Sequence, residues 1–260
     1  MKAASGTSVL VTGGGSGIGE AVARLFVAHG AQVTVTGRRE EKVRAVADDL
    51  GPRCRAVAGD VTVEADRHAM IEAAAQHGAG GVDTLVNAAG NMYRGTLESL
   101  DEHAMLQLFH ANVVAPVLLA GLALPYLRAR SGSIVVFGSV HTQRAFPGAS
   151  PYAATKAALE GLTGVLAAEL GPQGVRVNAV RPGAVYTEIN ERAGLGTPEQ
   201  ALARLQRMGE QHALGRIGTP EEVAEAVLYL AGAEWATGSV LTIDGGLALG
   251  VTNDPPPGQS

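Results

Sequence analysis

The chain has 260 residues, 46% hydrophobic, 17% charged and only 4% aromatic, which suits one domain with a large core of Val, Leu, Ile and Ala. That composition excludes an intrinsically disordered chain, and a net charge of −5 offers no basic field for nucleic acid. The single cysteine, Cys54, excludes an internal disulfide framework and a multi-cysteine zinc module.

Met1 to Gly6 holds no long apolar stretch, so no secretory signal is expected. Apolar runs rich in β-branched residues then alternate with segments of helical period. Strands are predicted at Ser8–Thr12, Gln32–Thr36, Arg53–Ala58, Asp83–Asn87, Ser133–Phe137, Val175–Val180 and Ser239–Ile243. Helices are predicted at Gly17–His29, Glu40–Leu50, Val63–His77, Asp101–Arg128 (kinked at Pro116), Tyr152–Leu170, Pro198–His212 and Pro220–Ala231. Ala111–Leu127 is uncharged, but Asn112, Pro116 and Pro125 interrupt it, and it falls short of the roughly 20 residues of a spanning helix. It reads as a buried helix at a core or subunit contact, in a soluble, cytoplasmic protein.

Alternating strands and helices imply an α/β fold: a doubly wound, mainly parallel seven-stranded sheet of Rossmann type with helices on both faces. No linker and no internal repeat divides the chain. Residues 1–252 therefore read as a single domain, and 253–260, with three consecutive prolines, as a flexible tail.

The first strand runs straight into Thr12-Gly13-Gly14-Gly15-Ser16-Gly17-Ile18-Gly19 and then a helix. Glycines there let the backbone approach a pyrophosphate, which helix N-terminal amides would receive. The spacing is not G-x-G-x-x-G, and no Gly-Lys-Ser/Thr follows, so a P-loop ATPase is excluded. The turn alone is equally consistent with a tight strand-to-helix connection.

Tyr152 and Lys156 stand four apart on one helix face, where an ammonium near a phenol would lower its pKa and make Tyr152 a general acid/base. Ser139 follows the fifth strand, at the sheet edge where doubly wound folds bind ligands, and Asn112 lies upstream. A Tyr-x-x-x-Lys pair by itself is more often structural.

Thr12-Gly-Gly-Gly-Ser-Gly-Ile-Gly19, Asn87-Ala-Ala-Gly90, Asn112, Ser139, Tyr152-x-x-x-Lys156, Arg181-Pro-Gly183 and Asp244-Gly-Gly246 occur in one order. Together they resemble the short-chain dehydrogenases/reductases over about Ser8 to Leu247. The resemblance implies Tyr152 as proton donor or acceptor at the substrate oxygen and Ser139 as the group orienting that oxygen. Lys156 would bind the nicotinamide ribose, and Asn112 would hold a water linking Lys156 to solvent. By the same resemblance Gly13, Ser16, Gly17, Ile18, Gly19, Asp60, Val61, Asn87, Gly90, Pro182, Gly183, Val185 and Thr187 contact the cofactor, and no metal is required. One departure is Val136-Phe137-Gly138-Ser139, where the family usually has Asn-Ile-Ser-Ser; losing the polar pair is expected to alter the pocket wall.

An acidic residue at the end of the second strand would repel a 2′-phosphate. Here Gly37 stands in that place, followed by Arg38 and Arg39, so NADP(H) is favoured over NAD(H), with Arg38 the expected contact. The expected activity is interconversion of a ketone and a secondary alcohol. The alternatives are a nucleotide-binding sensor without catalysis and a serine hydrolase using Ser139 and His141. Against the hydrolase, G-x-S-x-G is missing, and residues two apart on an extended strand are poorly placed to hydrogen-bond. Glu188–His212 has the composition of a mobile lid. The apolar helices Ala111–Leu127 and Ala153–Ala168 are expected to pair between subunits in a homotetramer.

Overall fold

The computed structural model describes residues 4–189 and 197–250. The predicted tail, and residues 190–196 of the predicted lid, lie outside the described residues. Seven strands form one sheet in the order β3-β2-β1-β4-β5-β6-β7, every neighbouring pair parallel. In chain order they are β1 Ser8–Thr12, β2 Gln32–Gly37, β3 Cys54–Ala58, β4 Thr84–Asn87, β5 Ser133–Phe137, β6 Arg176–Pro182 and β7 Val240–Ile243.

A parallel sheet buried on both faces needs apolar residues at successive positions, and here alternate side chains enter different cores. Val9, Val11, Val135 and Phe137 pack with α1 (Gly17–Ala28), α2 (Glu40–Leu50) and α8 (Pro220–Gly232). Leu10, Ile134 and Val136 face the other way, onto α3 (Glu64–His77), α5 (Ala115–Arg130) and α6 (Ser150–Leu170). Cys54 is buried in the first of these cores, and burial pushes its thiol up to about 11.

The predicted long helix is divided. α4, Glu102–Phe109, passes into a π-turn over His110–Val114, and α5 then begins with Pro116 in its first turn. The break thus precedes Pro116 rather than falling on it. Proline is tolerated in a first turn, where its missing N–H would lack a partner anyway, and the π-turn shifts the register so that Pro116 arrives there. Glu102–Arg130 is long and apolar enough to cross a membrane by length and composition. Leu119, Ala123 and Leu127 of α5 are fully buried in the second core, which gives that composition a packing cause.

Strand order reverses between β1 and β4, opening a crevice at the carboxyl ends of the strands. The glycine-rich turn lies there. Gly13 has φ +67, and a Cβ at Gly19 would stand 2.3 Å from the Gly13 carbonyl oxygen, so the turn closes tightly enough to admit only glycine at Gly19. The remaining described helix, α7 (Pro198–Gly209), starts in a capping box of Thr197 and Gln200.

Candidate active site

The crevice opens into a cavity of about 730 Å³. Its walls include Gly13, Ser16, Gly17, Ile18, Gly19, Arg38, Asp60, Val61, Gly90, Pro182, Gly183, Val185 and Thr187, together with Ser139, Tyr152 and Lys156. Of the residues expected at the site, only Asn87 and Asn112 lie off the wall. Both are buried behind it, and the Nδ2 of Asn87 has no hydrogen-bond partner. Asp60 also has a turn role, its Oδ1 accepting from the Thr62 N–H (2.9 Å) and hydroxyl (2.8 Å).

Ser139 leaves the end of β5 and begins a 3₁₀ turn over Val140–Thr142. That turn curls His141 back, so Ser139 Oγ lies 3.1 Å from His141 Nδ1 and accepts from the His141 N–H at 3.3 Å. The expectation that these two could not hydrogen-bond assumed extended backbone, and the turn removes it. His141 Nε2 has no partner, so no carboxylate orients the ring as a hydrolytic triad needs. The imidazole packs 4.4 Å from the Phe146 ring and edge-on to Tyr152 at 5.2 Å. Burial, helped by Arg94 and Lys156, pushes it down to about 4, so it is neutral at physiological pH.

Tyr152 and Lys156 share the buried face of α6. Lys156 Nζ donates to the Phe137 carbonyl at 2.9 Å and lies 5.6 Å from the Tyr152 ring centre. Burial pushes Tyr152 up to about 12, with its hydrogen bond to Ser139 acting in the opposite direction. Burial also brings Lys156 down to about 8, against the pull of Glu160. The expected lowering of the phenol by the ammonium is therefore outweighed: desolvation dominates, and the ammonium points at a strand carbonyl.

The π-turn places Asn112. Its Oδ1 accepts from the Asn91 N–H at 2.8 Å, and its Nδ2 donates to the Asn91 carbonyl at 2.9 Å and to Thr155 Oγ1 at 3.1 Å. The side chain thus ties the loop after β4 to α6 and is fully committed. The main-chain carbonyl of Asn112 cannot take the usual α-helical bond, because the residue four ahead is Pro116, which has no N–H.

Sequence reasoning missed Glu160. Its Oε1 accepts from the Ser139 N–H (3.3 Å), Thr142 Oγ1 (3.0 Å) and Arg181 Nε (3.0 Å), while Oε2 accepts from Arg181 Nη2 at 2.7 Å. A Cβ at Gly138 would fall 2.1 Å from Glu160 Oε1, so the departure at Gly138 makes room for this carboxylate. Its signal was present in the sequence: an acid four residues beyond Lys156, on the same helix face, with an arginine just before Pro182. At the end of β2, where Arg39 is expected beside Arg38, sequence reasoning missed the bridge from Glu188 to Arg39 and Lys42. Arg39 Nη2 donates to Ser16 Oγ at 3.1 Å and meets Glu188 Oε2 at 2.5 Å, and Lys42 meets Glu188 Oε1 at 3.3 Å. Burial alone would raise the Glu188 carboxyl, but Arg39 and Lys42 hold it below the usual range. Arg38, the expected contact, is more exposed and stands 3.9 Å from Asp60 Oδ2. The glycine turn, the N-terminus of α1, the unpartnered Asn87 amide and these cations fit a dinucleotide.

Because the Glu160–Arg181 pair is mostly buried, removing one partner strands the other. Glu160→Ala is expected to lower unfolding free energy by about 3 kcal/mol, measured by urea titration, with Arg181→Ala costing a similar amount. A loss below about 1 kcal/mol, the range of exposed pairs, would count against the clamp.

The chain matches the family model described as "Enoyl-(Acyl carrier protein) reductase" over residues 13–248. It is 33% identical over 247 residues to a 3-oxoacyl-[acyl-carrier-protein] reductase of Chlamydia muridarum, covering 93% of this chain and 97% of that one. It is 36% identical over 248 residues to an L-fucose dehydrogenase of Bos taurus, covering 95% and 91%. Among solved structures, a 3-ketoacyl-(acyl-carrier-protein) reductase from Brucella melitensis, complexed with NADH, aligns with a TM-score of 0.85 at 30% identity, covering 94% of this chain and 99% of that one. A short chain dehydrogenase/reductase family protein aligns with a TM-score of 0.82 at 39% identity, covering 95% and 99%. With its parallel Rossmann-type sheet and end-to-end matches to these oxidoreductases, the chain belongs to the short-chain dehydrogenase/reductase family, enzymes that act on CH–OH groups with a nicotinamide cofactor.

Proposed function

We propose that this protein reduces the carbonyl of a small ketone with NADPH, Tyr152 giving the proton to the substrate oxygen. The observation that carries the reading is the convergence of Ser139, Tyr152 and Lys156 on the wall shared with the glycine turn. When bound, the nicotinamide supplies the hydride. Burial keeps the phenol protonated far above neutral pH, as a proton donor requires. Ser139, held by Glu160 through its backbone amide, presents its hydroxyl to the carbonyl oxygen and orients it. Lys156 holds the nicotinamide ribose and stabilises the phenolate left after proton transfer. The Asn112 carbonyl, rather than its committed side chain, holds the water that returns a proton toward Lys156. In the oxidative direction the same groups run in reverse. Residues 1–252 act as one catalytic domain, in the cytoplasm.

Tyr152→Phe keeps the ring and deletes the transferable proton. It is expected to lower kcat by about 100-fold or more while leaving NADPH affinity nearly unchanged. Retention of more than about a tenth of wild-type kcat on an identified ketone would remove Tyr152 from this role.

NADPH preference is supported by Gly37, which offers no carboxylate, and by Arg38, Arg39 and Lys42 on the cavity wall. Fluorescence titration is expected to give NADPH a dissociation constant about tenfold or more below that of NADH, and Arg38→Asp to flatten or reverse the difference. Equal wild-type affinities would refute the preference.

The assembly we propose is a homotetramer. Val114 in the π-turn, Leu118 on α5 and Val165 on α6 are exposed, as are Tyr229 on α8 and Trp235 beyond it. These two groups supply apolar faces for two separate contacts. Light scattering at micromolar concentration is expected to give about four times the chain mass; a stable 26.5 kDa species would rule the assembly out.

A further inference from the structure

Six cationic side chains, Arg38, Arg39, Lys42, Arg94, Lys156 and Arg204, line the cavity, whose only carboxylates among the described residues are Asp60 and Glu188. Both carboxylates serve the end near β2, where Asp60 faces Arg38 and Glu188 faces Arg39 and Lys42. Lys156 donates to the Phe137 carbonyl and, in the reading above, serves the ribose and the phenol. That leaves Arg94 and Arg204, and neither meets a carboxylate among the described residues.

Arg94 stands on the loop after β4 and is half-buried, with Nη2 donating to the Pro147 carbonyl at 3.0 Å. That bond pins the loop after β4 to the loop before α6. Arg204, on α7, also lines the cavity and is exposed. The two guanidinium groups lie close enough that Arg204, after burial itself, makes the charge on Arg94 harder to hold. Two like charges on the wall of one open cavity, with no carboxylate partner among the described residues, repel unless an anion comes between them. Beside them, His141 Nε2 is buried without a partner. Met92, Phe146, Leu205 and Met208 add apolar wall to the same cavity, which suits a short carbon skeleton.

We infer that the substrate is itself an anion: a small oxo or hydroxy compound whose carboxylate or phosphate is held between Arg94 and Arg204 while its carbonyl lies at Ser139 and Tyr152. This rests on the oxidoreductase reading above and adds a substrate class to it. It gives α7 a direct part in binding, because Arg204 brings that helix to the ligand's charge.

The test pairs each anion with a neutral twin. The 2-oxo, 3-oxo and 4-oxo acids of four and five carbons are compared with their methyl esters, and dihydroxyacetone phosphate with dihydroxyacetone. Reduction by NADPH is followed for all of them, and binding is measured calorimetrically on NADPH-loaded Tyr152→Phe. At least one anion is expected to exceed its neutral twin by about tenfold or more in kcat/KM and in affinity, and the acid and phosphate arms tell which oxyanion it is. Arg204→Gln, at an exposed position, is expected to bring that ratio close to one through KM, and Arg204→Lys to restore part of it. Ketones reduced with no preference for the anion, or a ratio indifferent to Arg204, would overturn the anion site and leave the oxidoreductase reading standing. Anions that bind tightly with no compound of either kind reduced would do the reverse.

Discussion

The carboxylate of Glu160 joins the helix that carries Tyr152 and Lys156 to the turn after β5, which carries Ser139, and to β6, which ends at Pro182. It reaches β5 through the Ser139 amide and Thr142, and β6 through two hydrogen bonds from Arg181. Without it, α6 would rest on the sheet by the hydrogen bond from Lys156 to the Phe137 carbonyl and by apolar contacts such as Leu159 and Ala167, which are tolerant of sliding. A hydrogen-bonded, mostly buried ion pair is directional, so it fixes the distance between a proton-carrying phenol and the serine that must share its oxygen. Gly138 is part of the same device, since any side chain there would collide with the carboxylate.

Desolvation acts on the site with two signs. It holds Tyr152 in its neutral form and at the same time makes the charge on Lys156 easier to lose. The two shifts draw the groups toward the neutral pair, and only a partner that rewards charge separation, such as an oxygen developing negative charge, favours the opposite arrangement. A cavity of this kind costs stability and stores a preference for the transition state over the resting state. His141, also held neutral by burial, adds no competing charge beside Ser139.

Much of this was legible from residue pattern. Val9, Leu10 and Val11 declare a strand buried on both faces, and the glycine turn, Tyr152 and Lys156 fall where their spacing puts them. What escaped depended on contacts between distant segments. Pro116 announced a break in the long helix, but not that the chain would insert a π-turn ahead of it and place Asn112 on the loop after β4. Ser139 and His141 read as neighbours on an extended segment because nothing local signals the 3₁₀ turn. Glu160 and Arg181 are 21 residues apart, and each alone looks like an ordinary helix or strand-end charge. Arg39 and Arg38 are adjacent and alike in sequence, and only the fold distinguishes the one that reaches Ser16.

The bridge from Glu188 to Arg39 and Lys42 makes the β2 end of the cleft its own counter-ion. A phosphate that takes either cation enters by exchange rather than by addition, replacing one anion with another. Its net gain is the difference between two ion pairs, and since Arg39, Lys42 and Glu188 are all partly solvated, the bond surrendered is a weak one. The exchange also frees a residue of the chain, because Glu188 sits just past β6 on the segment that leads toward α7. Occupancy at the β2 end of the cleft thereby releases Glu188 from its cations, without any strand of the sheet having to move.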